Sequence, residues 1–372
     1  MDSNKLMAVR AALTTTTNTT GVLGSSAGGA EIQKLIHELI VPAFNNKQDL
    51  GPMLRRVNMD QLSYIWNLST ESASGSGFTN SSFSFYTDGG NGTAAASTKT
   101  QLFAIAKAYR TDYAVTGLMM ASGARDQLSD EARFAVEALA VGEERAMISG
   151  TGTSAYGFAS SFPGLLQLMG SNATFGDTDT IYGVARATAR DELDVSLVGA
   201  GATTADSLAL ADLDAAVTLS DNRGAKGNSR IFFCSNDRRD EIDQLLQAQQ
   251  RFVAPSIEIE GGFRVSSYKN IPIIGSRFMD KNGITWNGTA KTLSAADQSM
   301  YLLDMDNLFM AHVAGVNATH VPIVGGNATG GVPVAGAFYG RGDITGGYYK
   351  SYGTLVMKRF DTQVLIYNLT DI

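Results

Sequence analysis

Residues that titrate, bind metals or attack are scarce in this chain. There are 3 histidines, His37, His312 and His320. His37 has no cysteine or second histidine near it, and His312 and His320 flank Gly315 without an HExxH pattern or a cysteine to complete a metal set. Cys234 is the single cysteine, inside the apolar run Ile231-Phe232-Phe233-Cys234. That excludes intrachain disulfides and cysteine metal cages, and marks it as a small buried hydrophobe. General acid–base work would fall to carboxylates. Asp304 and Asp306 are expected to point the same way in a strand beside apolar residues, and Asp191, Glu192 and Asp194 read as a solvated cluster. Gly150-Thr151-Gly152-Thr153 lacks the lysine of a phosphate loop and follows a helix where a phosphate cradle would open one. Arg341-Gly342-Asp343 is an adhesion-type tripeptide in a Gly-rich loop, and reads as chance. The expectation is therefore no catalytic, cofactor-binding or metal site, no cofactor, and no enzyme.

Just before that Gly-rich turn stands a strongly marked helix, 129–148. Leu128, Ala132, Ala135, Leu139, Gly142 and Ala146 recur three and four apart, which places them on one face. Ser129 can cap the N-terminus, Asp130 and Glu131 suit its positive end, and Gly150 supplies the stop. At about 1.5 Å per residue the rod spans about 30 Å. Its apolar stripe is mostly small residues, so another backbone can approach, and Gly142 is expected to be packed tightly enough for Gly142→Leu to disrupt the fold. A core helix of an ordinary α/β enzyme would fit these residues too.

The 372 residues are enough for a sizeable core and more than one lobe. Charged residues make up 17%, below the usual quarter, which implies that partners cover much of the surface. A net charge of -7 without a basic run argues against phosphate-based nucleic-acid binding. Neither a signal-peptide core nor 18 consecutive apolar residues occur, so no membrane association and a cytoplasmic site of synthesis are expected. The Asn-x-Ser/Thr sites, Asn67 and Asn317 among them, then reflect an Asn-, Ser- and Thr-rich surface.

In chain order, residues 1 to about 30 are Thr-, Ser- and Gly-rich and form an arm. A short helix from Glu31 to Phe44 carries Ile32, Leu35, Ile36, Leu39 and Ile40 at helical spacing, and Pro42 bends or ends it. Alternation then predicts strands: Leu62, Tyr64, Trp66 and Leu68 on one side of Asn58 to Thr70, then Phe83 to Tyr86, then Gln101 to Tyr109 with Phe103, Ile105 and Tyr109 on one face. Gly- and Ser-rich turns separate them, so long hairpins project; a β-meander in a closed domain is the alternative. After a link at Thr111 to Gly123 and the long helix, a helix is expected at Asp206 to Leu219, then the turn Asp221-Asn222-Arg223-Gly224. The apolar strand Arg230 to Cys234 follows, then a helix capped by Ser235-Asn236-Asp237 and holding Ile242, Leu245 and Leu246. Further strands lie around Phe263-Arg264-Val265, Ile271 to Gly275 and Tyr301 to Leu308, with a bent strand or strand pair at Tyr348 to Leu369.

The run Glu143-Glu144-Arg145-Ala146-Met147-Ile148-Ser149-Gly150-Thr151-Gly152, followed by Phe162-Pro163-Gly164-Leu165-Leu166, resembles the end of the spine helix in major capsid proteins of tailed phages, the Hong Kong 97 fold. In that family an acidic pair, an apolar pair, a Gly-rich turn and a Gly-Leu segment occur in this order. The later succession of strand, Asn-capped helix and Ile271-Pro272-Ile273 segment is similar to the family's axial domain, so the resemblance covers roughly residues 50 to 370. It implies an α+β capsid fold divided as 1–54 N-terminal arm, 55–110 extended β-hairpin loop, 111–200 peripheral domain with the spine helix 129–148, 201–345 axial domain, and 346–372 return strand of the peripheral domain.

The function implied is a shell protein that assembles with itself into pentamers and hexamers around the double-stranded DNA of a tailed phage, without sequence-specific binding. Its location would be the virion, after assembly in the host cytoplasm; the alternative is an encapsulin-like bacterial nanocompartment. Further implied partners are a portal protein, a decoration protein and a separate scaffolding protein. The family's fused scaffolding segment does not precede the arm, so either the scaffold is separate or processing has occurred, and Met1 favours the former. Lys-to-Asn cross-linking needs a loop lysine; 71–97 has none, and Lys99 lies only at the base, so no cross-linking residue is carried over.

Overall fold

The computed structural model describes residues 49–71, 97–121, 127–150, 161–170, 175, 180–185, 194–201, 204–225, 229–248, 256–259, 263–279, 283–288, 291–294, 297–323 and 344–370. The expected arm helix at 31–44, the strand at 83–86 and the tripeptide at 341–343 lie outside them. Two compact units form, one from 110–140 and 318–350, the other from 48–109, 141–317 and 351–372.

The larger unit contains a seven-stranded sheet in the spatial order Ser196–Gly199, Val364–Tyr367, Met300–Asp304, Arg230–Cys234, Ile271–Gly275, Phe263–Tyr268, Ser256–Ile259. Its central strands are apolar at nearly every position because both faces are covered. Alternation sends Phe232, Cys234, Met300, Leu302, Val364 and Ile366 to one face, against Leu213 and Val217 of helix Leu210–Asn222 and Ile242 and Leu246 of helix Asn236–Ala248. Ile231, Phe233, Tyr301, Leu303 and Leu365 enter a second core on the opposite face. Each such side chain contributes about 1.5–3 kcal/mol on burial.

Helix ends follow the local chemistry. Ser235 Oγ accepts the Arg238 N–H at 3.1 Å, as its position at the N-cap requires. The helix expected from Asp206 begins at Leu210 instead, because Asp206 forms a bridge with Leu369 and its N–H donates to the Asn368 carbonyl at 2.9 Å. Its C-terminus closes through Gly224 at φ +85, with Ala225 N–H on the Ser220 carbonyl and Gly224 N–H on that of Asp221.

Also in the larger unit, Arg55–Met59 runs parallel to Leu308–Val313, which pairs antiparallel with 353–357. Side chains of this sheet alternate between two neighbours. Arg56 and His312 face the last turns of the long helix, whereas Phe309 meets Tyr64 of a hairpin. That hairpin, Ser63–Glu71 with Ser97–Ile105, keeps one register from Ser63↔Ile105 to Glu71↔Ser97. Tyr64, Trp66 and Leu68 pack on the core as expected, but Leu62 lies before the strand and is exposed. Phe103, Ile105 and Tyr109 do not share a face. The strand breaks at Ala106, whose N–H donates to the Leu62 carbonyl at 2.8 Å, so Tyr109 turns inward while Phe103 and Ile105 face out.

In the smaller unit Thr319–Ile323 pairs antiparallel with 346–350, and Lys107–Thr116 joins the strand Ile344–Met357. Gly346 permits that approach: a Cβ there would stand 2.2 Å from the Tyr113 carbonyl oxygen. Within the expected link at 111–123 the strand Lys107–Thr116 is followed by a short helix, Gly117–Ala121.

The long helix runs Gln127–Ser149. Ala135, Leu139 and Ala146 are buried, whereas Leu128, Ala132 and Gly142 are half-buried. The close approach expected at Gly142 is absent, since nothing among the described residues lies within 4 Å of where its Cβ would stand. Of the bent strand or strand pair expected at Tyr348 to Leu369, two strands form, Ile344–Met357 and Val364–Tyr367, and the second joins the seven-stranded sheet. Among the described residues no helix is long and apolar enough to cross a membrane.

Candidate functional site

The titratable residues singled out in the sequence land in separate, mostly sealed settings. His312 is buried with Nε2 at 3.2 Å from Glu143 Oε1, and Arg56 reaches the same oxygen at 3.4 Å. His320 faces the Tyr113 hydroxyl at 2.6 Å. Asp304 and Asp306 do not share a strand face: the strand ends at Asp304, whose carboxylate accepts the Asp306 N–H at 3.2 Å and the Asn307 side-chain amide at 2.7 Å, forming a turn. Asp191, Glu192 and 151–153 lie outside the described residues. Cys234 is buried and free, and burial pushes its thiol pKa up. Among the described residues no three His, Cys, Asp or Glu side chains converge on a metal position.

One buried charge escaped the sequence reading. Arg238 is fully buried; it donates to Glu241 at 2.8 Å and to the Asp297 carbonyl at 2.5 Å, reaches the Thr370 carbonyl, and has Nε 3.4 Å from the Asp297 carboxylate. Ser235 also donates to that carboxylate. This cluster ties the helix Asn236–Ala248 to the chain end and is closed to any substrate.

The end of the long helix is a second closed arrangement. Glu144 is completely buried, and its carboxylate accepts backbone N–H groups from Asp49 at 3.2 Å, Leu50 at 2.6 Å and Gly51 at 2.9 Å. Burial raises the Glu144 pKa, the three N–H donors hold it back, and the Asp49 charge raises it further. Burial, with the neighbouring Glu143 charge second, likewise raises the Tyr109 phenol. One turn on, Gly150 and Gly164 interlock: Gly164 N–H donates to the Gly150 carbonyl at 2.5 Å, and a Cβ on Gly164 would lie 2.6 Å from both the Ala146 oxygen and the Gly150 nitrogen. The helix end that carries the acidic pair thus meets the Gly-Leu segment at Gly150. The sequence named the residues; nothing in it said that Glu144 would hold backbone 93–95 positions away.

The hairpin is open where the helix end is closed. Its outward face shows Ile65, Phe103 and Ile105 with 48%, 41% and 53% of their surface exposed, and Leu62, just before the strand, is 68% exposed. Ile65 and Phe103 sit opposite each other, so these form one apolar stripe. A small two-residue turn, Tyr182-Gly183, grips the hairpin root. Both residues have positive φ, +52 and +83, which the tight turn between Ile181 and Val184 demands. Tyr182 O accepts the Phe103 N–H at 3.1 Å, its hydroxyl donates to Leu355 O at 2.7 Å, and the bare Gly183 lies under the Phe103 ring. Beneath the hairpin, Arg55 and Lys358 stand over the Phe309 ring at 5.3 and 5.2 Å.

A surface that exposes apolar side chains while sealing its polar ones serves contact between molecules. A model of the family described as SU10 major capsid protein matches residues 11–331. Among solved structures, the cyanophage A-1(L) capsid asymmetric unit is similar at TM-score 0.61 and 16% identity over 90% of this chain and 96% of that one. The capsid of the native GTA particle is similar at TM-score 0.55 and 15% identity, over 93% and 99%. The SrpI encapsulin of Synechococcus elongatus follows at 0.53 and 12%, over 91% and 94%. Among curated proteins no match is found. These structures show a Hong Kong 97-type α+β capsid fold.

Proposed function

The chain belongs to the SU10 major capsid protein family, and from that premise we propose how it builds its shell. As a major capsid protein of a tailed phage it is a structural, non-enzymatic component of the virion capsid that assembles with copies of itself around the phage DNA. The encapsulin alternative rests on likeness of fold at 12% identity, whereas the family model that matches this chain is described as a phage major capsid protein, which favours the phage capsid.

In our reading the copies close into pentamers and hexamers through heterologous contacts, with the hairpin lying over the neighbouring copy. The carrying observation is the stripe of Leu62, Ile65, Phe103 and Ile105, large apolar side chains that a lone subunit leaves in water. The long helix is the spine, 55–110 the extended loop, 201–345 the axial domain and 1–54 the arm. Assembly in the host cytoplasm with a separate scaffold, a portal and a decoration protein completes the reading. The net charge of -7 favours an inner wall that confines DNA without reading its sequence.

Electron microscopy of the purified protein tests this directly. Closed shells are expected, and deletion of 72–95 should yield soluble subunits that no longer close. A small oligomer from the intact chain, or normal shells from the deletion, would overturn it.

A further inference from the structure

Several cations of the described residues have an acidic neighbour. Arg56 meets Glu143, Arg133 meets Glu137, Arg230 meets Asp221 and Arg359 meets Asp361, at 2.6 to 3.4 Å. Arg55 and Lys358 have no carboxylate partner among the described residues, yet they converge on one ring. Register explains the convergence. Arg55 is directly across from Phe309 on one side, and Val356 is across from it on the other. Lys358, two residues beyond Val356, therefore points to the same side of the strand. Its backbone N–H is pinned to the Asn307 carbonyl at 2.8 Å, and its ammonium also lies 5.7 Å from the Tyr64 ring centroid. Tyr64 in turn meets Phe309 edge-on at 5.2 Å. Two positive charges are thus held at the hairpin root by aromatic faces that attract but do not neutralise them.

We propose that Arg55 and Lys358 form a receiving site for carboxylates of a second copy of this chain. This rests on the reading that copies pack side by side in a shell. Charge selects the occupant. With 36 acidic against 29 basic residues, every neighbouring copy carries carboxylates in excess. Glu131 and Asp237 are exposed and have no cationic partner among the described residues. The site lies beneath the hairpin, on the face opposite the apolar stripe, because the successive strand residues Tyr64 and Ile65 point to opposite sides.

A zero-length carbodiimide, which joins an amine to a carboxylate only where the two already touch, tests this on particles assembled from equal amounts of 15N-labelled and unlabelled chain. Lys358 should be recovered joined to an Asp or Glu peptide in mixed-isotope pairs. Arg55→Lys keeps the charge and should be captured at the introduced amine by a neighbour's acidic peptide. The Arg55→Gln/Lys358→Gln pair should keep the parent's melting curve, need about two- to fivefold more protein to assemble, and show a flatter salt dependence. If that pair fails to fold, the cross-link on the parent particle decides alone. Particles in which Lys358 joins only its own chain, or nothing while other lysines react, overturn the proposal. So does a Lys358 shielded from acetylation only when duplex DNA is packaged, which would make phosphate the occupant. Failure to form any particle counts instead against the shell reading.

Discussion

Within one compact unit, the end of the long helix and the root of the hairpin use the same kinds of residue in opposite ways. At the helix end a carboxylate is buried and saturated with three N–H donors, and two glycines let backbones touch. At the hairpin root four large apolar side chains face water and two cations have no counter-charge among the described residues. A buried charge is tolerable only when its partners are complete, so the helix end is finished within one chain. Exposed apolar groups and unpaired cations are unfinished until something else arrives. Stability and association are therefore located apart, and each can be altered while the other is watched.

The largest expected effect is at the finished end. Glu144→Ala leaves three N–H groups, those of Leu50 and Gly51 buried and that of Asp49 part-buried, without an acceptor at about 1–3 kcal/mol each, so a loss of about 3–5 kcal/mol is expected in chemical denaturation of the subunit. A loss below about 1 kcal/mol would mean that the carboxylate is not what holds 49–51. Protonation sharpens the point. Because the folded-state pKa of Glu144 is raised, the native chain binds the proton more readily than the unfolded chain between the ordinary value of 4.5 and the raised one. Stability from this group therefore grows as pH falls through that window. The parent should gain on Glu144→Gln as pH drops from neutral towards 4.5; an unchanged difference would show that burial is not straining the charge.

Next comes Gly164→Ala, whose Cβ would meet backbone atoms at 2.6 Å, with an expected loss of about 1–3 kcal/mol measured as a lower melting temperature. Gly142→Ala should go the other way, gaining about 0.5–1 kcal/mol, since the new methyl meets nothing among the described residues and glycine weakens a helix interior. A destabilised Gly142→Ala would restore the close-packing expectation. The smallest stability change belongs to Ile65→Thr with Ile105→Thr, within about 0.5 kcal/mol in the isolated subunit because both side chains are already exposed. Sedimentation should nevertheless show assembly impaired. Equal loss of stability and assembly would erase the separation between the two regions.

What the sequence determined by itself was local or periodic. Ser235 capped its helix, Gly224 ended another, the apolar run at 231–234 became a strand buried on both faces, and Glu143 to Gly164 marked the family, because each depends on neighbours a few residues away. What only the tertiary structure decided required distant chain segments to meet. Helical spacing put Gly142 on the packed face, but which glycine is crowded depends on the loop that returns to the helix end, and that is Gly164 against Gly150. Alternation could not foresee the break at Ala106 that turns Tyr109 in and leaves Phe103 and Ile105 out. Nor could spacing show that Glu144 clasps 49–51 or that Arg55 and Lys358 share one ring, since a charge shows in the sequence only its presence, and its role depends on the partners that folding supplies or withholds.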